Sequence, residues 1–112
     1  MKTKNKQSAL YQWQKRAKHE DIACAMCGRI GFMTVDHIVP VAFAVLLGLK
    51  SREMYNDEWN LQYLCRACNY LKGMQMDYNN PKTIENIKRY TEIAISYFLN
   101  NKHPTEINED VV

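Results

Sequence analysis

Apolar residues near the start of the chain follow the spacing of a helix. Leu10, Trp13 and Ala17 recur at i, i+3 and i+7, and Ser8 can cap the first turn. The pattern predicts a helix over residues 8–21 with one apolar stripe. That stripe is expected to pack against the rest of the domain.

A second helix is predicted near the other end of the chain. Asn80 is a good capping residue and Pro81 fits the first helical position, so the helix should start there and run to Asn100. Helical spacing again marks the face expected to join the core. Its residues are Ile84, Ile87, Thr91, Ala94, Ile95 and Phe98.

Between these helices the pattern changes to that of a hairpin. Residues 32–35 and 61–64 have the composition of strands. The first segment continues into Asp36 and His37, and the second continues into Cys65. The segment 41–58 between them is too long for a tight turn, although its apolar start at 41–47 can form one or two helical turns before a glycine. A helix of about three turns can start from the turn at residues 65–68, although Gly73 and the polar stretch after it indicate that this helix is short or frayed. The predicted fold class is α+β.

Length and composition define the class of protein. A chain of 112 residues suits one domain, which we assign to residues 1–104, followed by an acidic tail at 105–112 that is expected to fray. No apolar run approaches the ~20 residues that cross a bilayer, and the basic N-terminus leads into no apolar signal segment. We therefore expect a cytoplasmic protein.

The charge is unevenly distributed. The net charge is +3, yet six Lys and Arg residues precede the first acid, Glu20, while the last eight residues hold three acids and no basic residue. A basic body favours a polyanionic partner, although a solvated surface explains such a charge equally well.

Four cysteines form two pairs of identical spacing, Cys24-x-x-Cys27 and Cys65-x-x-Cys68. Two-residue spacing lets both thiolates of a pair bind one metal ion, and a site closed by four cysteines suits structural zinc. The 37 residues between Cys27 and Cys65 require the hairpin to bring the pairs together. A redox Cys-x-x-Cys motif normally lies in a βαβ unit, which the sequence does not predict, and disulfides are typical of exported proteins. Zinc is therefore the favoured interpretation.

Asp36 and His37 supply the candidate chemistry. They follow the first predicted strand side by side, and they offer a hard oxygen ligand next to a group that accepts a proton near neutral pH. Hydrolysis of a phosphodiester needs an activated water and a cation that neutralises charge on the phosphorane.

The stretch Asp36-His37-Ile-Val-Pro40, together with Trp59 to Asn69 and Lys72-Gly73, resembles the signature of the HNH endonuclease family. The resemblance covers about residues 24–73 and includes the flanking cysteine pairs. It implies a ββα-metal fold, a core motif over 24–77, and the activity of a small stand-alone phage or bacterial endonuclease.

The resemblance also implies roles for single residues. His37 is similar to the general base, and Asp36 and Asn69 to the two protein ligands of one catalytic divalent cation. Asn60 is similar to the residue that secures the connecting loop and orients His37. Lys72 matches a position that is often basic and is expected to contact a phosphate.

Asn69 stands where many members of that family have His. A neutral amide oxygen beside a carboxylate suits Mg²⁺ or Mn²⁺ better than a pair of imidazoles would. The expected cofactors are therefore structural Zn²⁺ and catalytic Mg²⁺ or Mn²⁺.

The expected function is cleavage of DNA, nicked or cut through both strands, with contacts mainly to backbone phosphates. Two alternatives stay open. One is a non-catalytic, zinc-stabilised nucleic-acid-binding module, and the other is a toxin or restriction-type nuclease that acts with a partner. A homodimer or a partner protein would then supply targeting, in the cytoplasm of a bacterium or a phage-infected host.

Overall fold

The computed structural model describes residues 8–50 and 57–100. These residues form short helices around two antiparallel hairpins, which confirms the predicted α+β class. In chain order the elements are α1 (Ala9–His19), β1 (Ile22–Ala23), β2 (Ile30–Gly31), β3 (Thr34–His37), α2 (Val41–Leu46), a 3-10 turn (Glu58–Asn60), β4 (Leu61–Leu64), α3 (Arg66–Lys72) and α4 (Lys82–Leu99).

The central hairpin pairs β3 with β4. Thr34 lies opposite Leu64, and Asp36 lies opposite Gln62. Side chains alternate between the two faces of a strand and directly opposite residues share a face, so these four residues project from the same side of the hairpin. The helix α3, which follows β4 directly, packs against both strands.

The first strand of this hairpin lies later in the chain than predicted. Strand composition indicated residues 32–35, whereas the structure pairs Thr34–His37 and leaves Phe32 86% exposed. Strand pairing is set by the partner strand, which residue composition alone does not reveal. As a result Asp36 and His37 lie inside the ladder, where the hairpin holds their backbone.

The hairpin of β1 and β2 was not predicted from the sequence. Ile22 pairs with Gly31 and Ala23 with Ile30, so the first cysteine pair lies in the connecting turn. Gly28 follows this pair with φ +80°, a backbone conformation that glycine adopts without steric cost. Strands of two residues are too short to show an alternating pattern, which is why no sequence pattern predicted them.

Helix α1 confirms the first predicted helix. The Ser8 side chain accepts a hydrogen bond from the backbone N–H of Tyr11 at 3.1 Å. Trp13 stacks on Tyr63 of β4, with 4.6 Å between the ring centroids. The helix therefore covers the face of the hairpin opposite the one that bears Asp36.

The two short helices lie near their predicted positions. Helix α2 occupies Val41–Leu46, within the apolar segment expected to be helical. Helix α3 spans seven residues, about two turns, and ends at Gly73 with φ +57°, which agrees with the short helix that this glycine indicated. The early end places Lys72 in the last turn of α3.

Helix α4 starts at Lys82, whose backbone N–H donates to Asn80 Oδ1 at 2.8 Å. Its buried face agrees only in part with the predicted one: Ile87 and Ala94 pack against buried residues, but polar residues also take part in the packing and hydrophobic spacing does not register them. Buried residues of α4 are Thr83, Asn86 and Tyr90. Of the six residues predicted to face the core, three are exposed: Ile84, Ile95 and Phe98.

Two clusters of buried residues stabilise the fold. One surrounds the cysteines and contains Ala17, Met33 and Leu64. The other joins α2 to α4 and contains Val39, Ala44, Leu49 and Tyr90. The segment that follows His37 therefore runs directly into the second cluster.

Several predictions concern residues outside the described ranges. They are the basic residues of segment 1–7, part of the long connection at 51–56, and the acidic tail at 105–112. Among the residues that the structure does describe, no helix is long and apolar enough to cross a membrane.

Candidate active site and metal centre

The turn of the β1–β2 hairpin and the start of α3 bring the four cysteines together. Their sulfur atoms all lie within 4.8 Å of one another. The Sγ atoms of Cys27 and Cys65, one from each pair, are 3.8 Å apart. Zinc–sulfur bonds of about 2.3 Å in a tetrahedron separate the sulfurs by about 3.8 Å, so the cluster has the dimensions of a four-cysteine zinc site.

Backbone amides next to the sulfurs favour the thiolate form that binds metal. The N–H of Cys27 lies 3.5 Å from Cys24 Sγ. Burial opposes ionisation of Cys24, but amide donors including this one lower the pKa of its thiol to about 6. The hydrogen bond with the Cys65 thiol raises the pKa of Cys68 to about 12, and a metal ion would replace that shared proton.

Asp36, the predicted metal ligand, projects from the centre of β3 and is only 8% exposed. Its Oδ2 accepts a hydrogen bond from Nε2 of Gln62, the residue opposite it in the ladder, at 2.9 Å. Gln62 in turn accepts at Oε1 from Asn80 Nδ2 at 3.1 Å. The carboxylate is thus held by β4 and, through Gln62, by Asn80, which lies just before α4.

Lys72 lies over the same carboxylate from the end of α3. Its Nζ is 3.0 Å from Asp36 Oδ2 and donates to the backbone oxygen of His37 at 3.0 Å. Both charged side chains are buried, and a buried charge is stable only when it is paired. The ammonium predicted to contact a phosphate therefore lies inside the domain, against the predicted metal ligand.

Asn69, the other predicted ligand, lies one turn before Lys72 on α3. Its Nδ2 donates to Thr34 Oγ1 at 2.6 Å. Thr34 and Asp36 share a face of β3, so Asp36 and Asn69 belong to the same surface between hairpin and helix. The amide nitrogen is used by Thr34, which leaves the amide oxygen as the ligand atom.

The donor atoms of Asp36 and Asn69 are of the chemical type that binds a divalent cation. A carboxylate oxygen and an amide oxygen are the hard ligands that Mg²⁺ and Mn²⁺ prefer. The Lys72 ammonium beside Asp36 indicates that a positive charge is stabilised at this carboxylate.

His37 ends β3 and is partly buried. Burial lowers the pKa of its imidazole below the usual value; Asp36 opposes the shift and Lys72 adds to it. A lowered pKa keeps the ring neutral at pH 7, which is the protonation state of a general base.

Asn60, the middle residue of the predicted motif, is fully buried at 0% exposure. Its Oδ1 accepts from the backbone N–H of Val39 at 2.9 Å, and its Nδ2 donates to the Val39 carbonyl at 3.0 Å. Both hydrogen bonds fix the backbone two residues after His37. The geometry agrees with a residue that secures the segment next to the candidate base.

The sequence reasoning missed several residues that hold the site, among them Asn86 and Gln62. Asn86 on α4 donates to Asn60 Oδ1 at 3.0 Å, and Gln62 holds Asp36. Gln62 could have been found, since it is the polar residue in the middle of an apolar strand. Asn86 gives no such signal, because it follows Glu85 and an Asn at such a position of a helix normally faces solvent.

One comparison with known proteins found a match. Residues 24–75 match the model of the HNH endonuclease family. The matched segment contains both cysteine pairs, the central hairpin and α3, and it ends before α4. No curated protein and no solved structure matches the chain.

Proposed function

We propose that the chain is a metal-dependent endonuclease that hydrolyses phosphodiester bonds in DNA. The proposal starts from residues 24–75, which match the HNH endonuclease family. One observation carries the proposal. Within the matched segment, strand β3 carries Asp36 and His37, and the helix packed against it carries Asn69 and Lys72. Hydrogen bonds from Asn69 and Lys72 to β3 join the two elements.

His37 is the proposed general base. It follows Asp36 directly in β3, and in this role it would activate a water beside a cation that Asp36 and Asn69 would hold. That cation, Mg²⁺ or Mn²⁺, would neutralise charge on the phosphate and on the departing oxygen. The 5′-phosphate and 3′-hydroxyl are the expected products.

Asn60 is proposed to keep His37 in position. Its two side-chain hydrogen bonds to Val39 tie the segment that follows His37 to the start of β4. The backbone N–H of Ile38 adds a bond to the carbonyl of Asn60 at 2.8 Å. These bonds hold the backbone next to His37, from which its imidazole projects, and a general base needs a fixed position.

The proposed substrate is DNA, bound mainly through its phosphates. The net charge of +3 supports attraction to a polyanion, and phosphate contacts make such binding weaken steeply with salt. Thiols available for metal suit a cytoplasmic location. A homodimer or a partner protein that supplies targeting remains a prediction.

Plasmid nicking tests the proposal. Zinc-loaded protein is incubated with supercoiled plasmid and Mg²⁺ or Mn²⁺, and nicked and linear products are separated by electrophoresis. His37→Ala should lose activity by about 10²–10⁴-fold, the contribution typical of a general base. The matched control is His19→Ala, since His19 is exposed at the end of α1. Equal activity of wild type and His37→Ala would rule out the assigned base.

One observation favours a second candidate, a zinc-stabilised nucleic-acid-binding module without catalysis. Asp36 is already neutralised by Lys72, so this carboxylate is satisfied without a cation. Binding of the same plasmid in a mobility-shift assay, with no nicking under any divalent cation, would favour this candidate.

A further inference from the structure

The charge pair of Asp36 and Lys72 is the feature of the site that the proposed function does not explain. Lys72 Nζ contacts Asp36 Oδ2 at 3.0 Å and the His37 carbonyl at 3.0 Å. A phosphate-binding lysine would project to the surface, whereas Lys72 is 5% exposed. Its charge is therefore directed at the proposed metal ligand.

The ammonium and a divalent cation compete for one carboxylate. Like charges a few ångströms apart in a buried site repel each other strongly. Gln62 also donates to Oδ2 of Asp36, so that oxygen already has two partners. A cation bound at Asp36 would therefore meet the Lys72 ammonium at close range.

The position of Lys72 allows its ammonium to move away from Asp36. It lies in the last turn of α3, and the next residue, Gly73, ends the helix with φ +57°. Lysine carries its charge on a flexible four-carbon stem, so the ammonium can move by side-chain rotation while the backbone stays in the helix.

We infer, on the basis of the proposed function, that Lys72 is a displaceable counter-ion: it neutralises Asp36 in the metal-free protein, and binding of a divalent cation releases its ammonium from the carboxylate. The pair avoids a buried unpaired charge before the metal binds. Metal binding then frees a positive charge for the substrate phosphate, so that Lys72 contacts phosphate only in the metal-loaded site.

Metal affinity tests the competition. Mn²⁺ binding to zinc-loaded protein is followed by the electron paramagnetic resonance signal of free Mn²⁺, for wild type, Lys72→Met and Lys88→Met. Lys88 is exposed on α4 and serves as the control with the same loss of charge. If Lys72 occupies Asp36 in nine molecules of ten, its removal tightens Mn²⁺ binding about tenfold. Unchanged or weaker binding by Lys72→Met would overturn the inference.

A second measurement uses the wild-type chain and does not depend on the folding of a variant. Acetylation of lysines by an amine-reactive reagent is followed by mass spectrometry with and without saturating Mg²⁺. Release of the ammonium should speed modification of Lys72 several-fold and leave Lys88 unchanged. An unchanged rate at Lys72 under saturating Mg²⁺ would overturn the inference.

Failure of the proposed function has a different signature. Asp36→Asn should abolish Mn²⁺ binding, and equal binding by this variant and wild type would reject Asp36 as a ligand. Absence of Mn²⁺ binding to wild type would overturn the metal site and the inference together. Wild-type binding at Asp36 with no effect of Lys72→Met would overturn the inference alone.

Discussion

Asn86 donates a hydrogen bond to the side chain of Asn60 at 3.0 Å, and both residues are buried. Asn60 lies inside the segment that matches the endonuclease family, whereas Asn86 lies beyond it on α4. A second bond runs from Asn86 Nδ2 to the Trp59 carbonyl at 3.3 Å. Helix α4 is thus joined to the loop that Asn60 secures beside His37.

Replacing Asn86 should therefore weaken both the fold and the site. Asn86→Ala removes both hydrogen bonds and should lower the free energy of unfolding by about 1–3 kcal/mol. Asn86→Asp keeps the shape of the side chain but replaces the amide donor with a buried negative charge. That charge would face two acceptors, Asn60 Oδ1 and the Trp59 carbonyl, so this variant should lower the free energy of unfolding more than Asn86→Ala does. Urea unfolding measures both variants. Glu85→Ala, an exposed change on the same helix, is the control, and an Asn86→Asp variant as stable as wild type would contradict the role of this bond.

Gln62 should matter through Asp36. Gln62→Leu keeps the size of a buried side chain but removes the donor that holds the carboxylate at 2.9 Å. We expect about 1–3 kcal/mol lower stability and reduced nicking at saturating Mg²⁺. Gln75→Leu, at an exposed position, is the matched control. Full nicking activity in Gln62→Leu would show that Asp36 is positioned without this bond.

The four-cysteine centre should hold the domain together. Structural zinc contributes on the order of 10 kcal/mol in small domains, which is comparable with the whole stability of many proteins. Cys68→Ala should therefore lower the melting temperature and the zinc content, and nicking should fall with the folded fraction. Circular dichroism and metal analysis follow both quantities. A Cys68→Ala protein that remains folded and zinc-saturated but inactive would contradict this explanation.

Tyr90 should make the stability sensitive to alkaline pH. Burial raises the pKa of Tyr90, and nearby Asp57, which accepts its hydrogen bond at 3.1 Å, adds to the shift. Because the pKa of Tyr90 is raised in the folded state, the contribution of its protonated phenol to the free energy of unfolding is complete below a pH of about 10, which is the pKa in the unfolded chain. That contribution is lost as the pH rises above this value. Between pH 10 and 11 the wild type should lose about 1 kcal/mol more than Tyr90→Phe.

Denaturant unfolding at the two pH values checks this difference. Tyr90→Phe should also be less stable at pH 8, since the bond to Asp57 is gone. Tyr70→Phe, at an exposed position on α3, should keep the alkaline dependence of the wild type. Parallel pH profiles for wild type and Tyr90→Phe would reject the buried phenol as the cause.

The sequence by itself determined the class of fold and the grouping of the four cysteines, and it predicted the residues of the candidate catalytic site. Cysteine spacing is a local property, and the two pairs indicated one metal site that the structure confirms as a cluster of four sulfurs. Residues next to each other in the chain, such as Asp36 and His37, stay neighbours in any fold. Local spacing also predicted α1 with its Ser8 cap and the strand Leu61–Leu64.

Only the tertiary structure decided which side chains meet. Lys72 reaches the His37 carbonyl across 35 positions of sequence, and Asn86 reaches Asn60 across 26. Such hydrogen bonds depend on the register of the hairpin and the placement of α3 and α4, which periodicity does not encode. The same reason explains why only part of the predicted face of α4 is buried, because polar residues of α4 bonded to other segments took positions that an apolar pattern assigns to solvent.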